Sequence, residues 1–190
     1  MGKNMSADEC VKCGDLIYYG GKNPCCNDGY EEYLEKEQIA RGEAENHVMS
    51  AFNRLKGKYE KVFHALDFHK AIWEASTIIL PHLEVVIDAK NDCFVSTGSA
   101  GFVDFGSIPK GMRMPVKCWI HTHPFGSAYF SGTDIRTVSI WEQLMESAYV
   151  LGGLGHFGWW ENSKPNQLKI YVNNQEERTQ TWNQYGDEEE

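Results

Sequence analysis

At 190 residues the chain can hold one core of ordinary size and a small appendage. Its apolar fraction of 42% is that of a globular protein, and a formal net charge of -9 argues against nucleic acid or an anionic membrane surface as partner. No apolar run is long enough to cross a bilayer, and residues 1–6 lack the apolar stretch of a secretory leader, so the six cysteines read as reduced thiols or metal ligands in a cytosolic setting.

The first of those cysteines lie in a C-x-x-C-G turn, Cys10 to Gly14, and the next two are adjacent, Cys25 and Cys26, after the short apolar piece Leu16-Ile17-Tyr18-Tyr19. Two cysteine-bearing turns joined by a hairpin-sized spacer suggest a structural zinc knuckle with Cys10, Cys13, Cys25 and Cys26 as ligands, the metal supplying the folding energy of residues 1–29. The adjacent pair departs from the usual second C-x-x-C, and four unmetallated thiols are the competing reading. Residues 30–58 favour helix, and Val48, Met49, Phe52 and Leu55 make an apolar face in the second half. A second helical run spans 59–80 and ends at Pro81. Strands are expected over 83–89, 93–96, 102–105 and 116–120, then a helix over 135–147 with Ile135, Val138, Trp141, Leu144 and Met145 inward, then strands over 149–154, 157–160 and 168–172. Residues 174–190 are polar, end in three glutamates and read as an acidic tail. Strands interleaved with helices predict an α/β domain, a mixed sheet flanked by helices, over 59–173, preceded by the cysteine-rich stub and a helical linker.

The densest chemistry lies in His121-Thr122-His123-Pro124 followed by Ser131-Gly132-Thr133-Asp134. Side chains two apart on a strand share a face, so His121 and His123 project together. Asp134 falls in the first turn of the following helix, able to swing back to the histidines. Ser131 and Asp134 also have the spacing of a capping box, and a capped helix would hold the carboxylate in place. Two imidazoles and a carboxylate, with a fourth position open to water, form the ligand set of a catalytic rather than a structural zinc.

The pattern H-x-H-P-x6-S-x-x-D over His121 to Asp134 resembles the signature of the JAMM (MPN+) zinc metallopeptidases. The resemblance implies that His121, His123 and Asp134 bind zinc, that Ser131 helps stabilise an oxyanion, and that an upstream glutamate is the base. Two acids compete for that last role. Glu84 opens the first strand after Pro81, where family members carry their glutamate. Glu74 lies at a plausible distance but inside the helical run, beside Trp73. The implied activity is hydrolysis of amide or isopeptide bonds, with a protein as the expected partner and a ubiquitin-like C-terminus as the expected substrate, beside which a carrier-protein thiocarboxylate precursor and a peptidoglycan-type peptide stay open. Two rivals stand beside it. A non-catalytic scaffold of the same fold usually loses the metal ligands, all three of which are present here. A barrel-type amidohydrolase needs a longer chain and later ligands, and the only later histidine is His156.

Overall fold

All four residues of β3 (Glu84–Ile87) are buried, so this strand needs cover on both faces. The computed structural model describes residues 7–9, 16–18, 27–79, 83–96, 109–123 and 127–183. Contacts divide it into two units, 1–42 and 43–190. In the first, β1 (Ala7–Glu9) pairs antiparallel with β2 (Leu16–Tyr18). The helix α1 (Asn27–Leu55) begins in the first unit and ends in the second. Cys10, Cys13, Cys25 and Cys26 lie outside the described residues, as does the expected strand over 102–105.

The second unit is built on a seven-stranded sheet in the order β4-β3-β5-β6-β7-β8-β9. Its remaining strands are β4 (Cys93–Ser96), β5 (Cys118–Thr122), β6 (Ser147–Gly153), β7 (His156–Glu161), β8 (Gln167–Val172) and β9 (Gln175–Thr181). Neighbours are antiparallel except β5 and β6. A parallel pair needs a crossover, and α3 (Gly132–Trp141) supplies it. The expectation of a mixed sheet flanked by helices is met.

Register decides what each face carries. Glu84 stands opposite His121 and Val86 opposite Trp119, while Val85 stands opposite Ile120 and Ile87 opposite Cys118. The face of Val85, Ile87, Cys118, Ile120, Tyr149 and Leu151 packs on the second half of α1, through Val48, Phe52 and Leu55, and on α2 (Leu66–Glu74), through Phe68 and Ile72. The other face, with Val86, Trp119, Val150, Leu168 and Ile170, packs on Ile135 and Val138 of α3 and on Phe130 and Trp182. Each large apolar side chain so enclosed contributes roughly 1.5–3 kcal/mol. A short 3-10 turn (Val62–His64) precedes α2 and a π turn (Ala75–Ile79) follows it, so the run expected as one helix over 59–80 is three pieces.

Two expectations need correction. The acidic tail does not begin at 174, because β9 closes the sheet against β8 and Trp182 is buried beyond it. A two-residue turn, Asn173-Asn174, both with positive φ, makes that hairpin. Strand β9 was hidden because it is a polar edge with no apolar alternation. Leu144 faces solvent rather than the core, since the chain leaves α3 for a 3-10 turn (Glu142–Leu144) and loses the helical phase.

Asp88, fully buried at the end of β3, accepts backbone N–H bonds from Lys90 at 2.8 Å, Asp92 at 2.9 Å and Arg113 at 3.0 Å. It thereby ties the β3–β4 turn to the connection that leads into β5.

Candidate metal centre

The centre starts from the position of β5 between β3 and β6. His121 is buried on the α3 side of the sheet, its ring stacked on Trp119 two residues earlier, with centroids 4.3 Å apart and planes at 18°. His123 lies just past β5, but its N–H donates to the Leu151 carbonyl at 2.8 Å. The ladder to β6 is thus extended by one step, and His123 keeps the strand parity that turns it to the same face. Its ring meets that of Tyr129 edge-on at 5.0 Å, and Tyr129 is exposed.

The third member is set by the start of α3. Ser131 is the N-cap, and the capping box with Asp134 is complete. Asp134 Oδ2 accepts from Ser131 N–H at 2.7 Å and from Ser131 Oγ at 2.6 Å, while Asp134 N–H donates to Ser131 Oγ at 3.3 Å. So pinned, the carboxylate lies with Oδ1 3.2 Å from His121 Nε2 and Oδ2 3.4 Å from His123 Nε2. Burial alone would raise the Asp134 carboxyl. The His121 charge beside it and its contacts with His121, His123 and Ser131 outweigh burial and hold it far below the usual carboxylate range.

One donor atom from each of His121, His123 and Asp134 lies within 4.8 Å of the others, so the group could hold a metal ion. The state of His121 fits that use. Both of its ring nitrogens are buried, and Nε2 is turned toward Asp134 Oδ1 at 3.2 Å.

The structure separates the two candidate bases. Glu84 is 5% exposed and directly opposite His121 on the neighbouring strand. Residues so paired project from the same face, with Cβ atoms roughly 4.5–5.5 Å apart. Glu74 belongs to α2, which covers the opposite face, and its half-exposed carboxylate meets His47 at 3.7 Å and Lys70 at 3.8 Å. Ser131 is at the centre, but its one hydroxyl proton is directed at Asp134, because an ionised carboxylate can only accept. That contact positions Asp134. The remaining described cysteines, Cys93 and Cys118, are buried on the opposite face, where burial pushes the Cys93 thiol up to about 12 and the Cys118 thiol higher still.

Several contributors escaped the sequence reading. Trp119 was legible in principle, as the residue two before His121 on the same face. Gly152 was not. The loop carrying Ser127 and Ala128 crosses β6 so closely there that a Cβ would overlap the Ala128 nitrogen and stand 2.6 Å from the Ser127 carbonyl carbon. The chain matches no protein-family model, no curated protein and no solved structure.

Proposed function

We propose that this chain is a zinc-dependent hydrolase of amide bonds of the JAMM type, acting at an isopeptide or peptide bond at the C-terminus of a ubiquitin-like protein. The observation that carries the reading is the convergence of His121, His123 and Asp134 on the sheet face that also bears Glu84. His121 Nε2 faces Asp134 Oδ1 at 3.2 Å and His123 Nε2 faces Oδ2 at 3.4 Å, and one donor atom from each of the three residues lies within 4.8 Å of the others. Zinc held by three protein ligands polarises a carbonyl and lowers the pKa of water toward neutrality.

The side chains divide the remaining work. His121 and Asp134 are buried and hold position, while His123 is partly open and marks the side from which substrate arrives. Glu84 accepts the proton of the attacking water and returns it to the leaving amine. Ser131 keeps Asp134 aligned. The ubiquitin-like substrate rests on the resemblance of the motif alone.

Elemental analysis of the whole chain and of His123→Ala tests the metal, and cleavage of a fluorogenic amide at a ubiquitin-like C-terminus tests the reaction. The expected result is a zinc lost in the variant together with turnover. Zinc unchanged by the substitution would remove the centre, and bound zinc without cleavage of any such amide would remove the hydrolase.

A further inference from the structure

The side chain of Gln180 reaches from β9 to the loop that precedes α3. Its Oε1 accepts the Phe130 N–H at 2.8 Å, and its Nε2 donates to the Phe130 carbonyl at 2.9 Å. Both backbone groups of one residue are thus satisfied by one side-chain amide, as a neighbouring strand would satisfy them. Phe130 is fully buried, packed between Trp182 at 6.0 Å and His121 at 5.8 Å. Without Gln180 its backbone would be left with unpaired polar groups in an apolar setting.

The second of these bonds reaches the metal centre by covalent geometry. The Phe130 carbonyl and the Ser131 N–H belong to one peptide unit, and that unit is planar. Gln180 Nε2 holds its carbonyl end, and Asp134 Oδ2 accepts from its N–H end at 2.7 Å. Rotating the plane about its Cα–Cα axis would break both bonds together. The orientation of the Asp134 carboxylate is therefore tied to Gln180 through a rigid link.

We propose that Gln180 is a positioning residue of the metal centre, acting on Asp134 through the Phe130–Ser131 peptide, an inference that rests on His121, His123 and Asp134 holding a metal. Strand β9 is then part of the site and not only the edge of the sheet. Residues that orient a metal ligand through a hydrogen bond typically change affinity by 10–100-fold when lost.

The test uses the full chain and the metal alone. Zn2+ affinity is measured by competition with a chelator, and Co2+ spectra report ligand geometry, for wild type, Gln180→Ala and Gln180→Glu. The Glu variant keeps an acceptor for the Phe130 N–H and, ionised, has no donor for the Phe130 carbonyl, so it removes the bond that leads to Asp134 and sets a charged oxygen in its place. Both variants are expected to bind Zn2+ roughly ten- to a hundredfold more weakly, with altered Co2+ bands and, for the Glu variant, a fold that still melts cooperatively. Variants with wild-type affinity and spectra would overturn the role of Gln180 and leave the metal centre standing. A wild-type chain that binds neither metal would overturn the centre and this inference with it. Should Gln180→Ala fail to fold, Gln180→Glu alone decides.

Discussion

His121 and His69 are both buried histidines set among aromatic rings, on opposite faces of the same sheet. His69 sits on α2 with its ring 4.4 Å from that of Tyr149, and its Nε2 lies 2.7 Å from the Phe63 carbonyl. Nearby, His64 Nδ1 meets the Tyr149 hydroxyl at 2.8 Å. Neither histidine belongs to a group of donors able to hold a metal among the described residues. The rings of His121 and His69 both bury an Nδ1 without a hydrogen-bond partner, but the Nε2 of His121 faces a carboxylate at 3.2 Å where that of His69 faces a backbone carbonyl, and a second imidazole lies beside His121. Burial alone therefore does not mark a ligand. A backbone carbonyl opposite the ring makes a histidine part of the core, and a convergent acid makes it part of a site.

The comparison is tested most severely by chemistry on the His121 face. Glu84→Gln keeps the shape of the side chain and removes its basicity. Turnover should fall by roughly a thousandfold, within the range general bases contribute, while zinc content stays at the wild-type level. Undiminished turnover would place the base elsewhere. Gly152→Ala should come next. Its methyl group meets backbone at Ala128 and Ser127, which cannot yield as a flexible side chain would. Overpacking that forces backbone to shift costs about 1–3 kcal/mol, occasionally more, and the loop it displaces carries the start of α3. Urea denaturation at fixed zinc would show the loss, and an unchanged midpoint would mean the loop has room that the close approach denies.

The contrast between the two faces also explains what could be read in advance. Strand parity put His121 and His123 on one face, and the capping pattern put Asp134 at the first turn of a helix, because both are local periodicities written in adjacent residues. Glu84 required the pairing of two strands distant in sequence, and only the register Glu84 to His121 separated it from Glu74. Strand β9 escaped because Gln175 to Thr181 carries no apolar alternation. Its place is fixed by the Asn173-Asn174 turn and by partners on β8. The link from Gln180 to Phe130 spans 50 residues and leaves no local pattern.

The core histidine gives a prediction of pH dependence. Burial lowers the His69 pKa from 6.5 to about 4, with the His64 charge adding to it and the bond to Phe63 opposing it. The folded state thus resists a proton that the unfolded chain accepts. The contribution to stability is present above pH 6.5 and is lost as pH falls from there to about 4. Over that interval the loss amounts to about 3 kcal/mol. The measurement is the difference between wild type and His69→Gln in denaturation midpoint at several pH values. The variant should show a shallower fall below pH 6.5, with zinc content unaltered. Equal slopes would mean His69 accepts its proton while folded, and loss of zinc would erase the distinction between the two histidines.

The smallest expected effect separates the two uses of Ser131. Ser131→Ala removes the hydroxyl that donates to Asp134 Oδ2 and accepts from Asp134 N–H, but it leaves the Ser131 backbone N–H on the same carboxylate oxygen. Loss of an N-cap costs about 1 kcal/mol, which in a domain of this size lowers Tm by about 2–4 °C. If the hydroxyl acts only through Asp134, zinc affinity should fall with it while kcat at saturating zinc stays within a fewfold of wild type. If it instead donates to the oxyanion, it must leave Asp134 to do so, and kcat should fall about a hundredfold or more with zinc affinity barely changed. The single proton, already directed at Oδ2 over 2.6 Å, favours the first outcome. It also makes α3, through its cap, as much a part of the His121 face as the strand that carries the histidines.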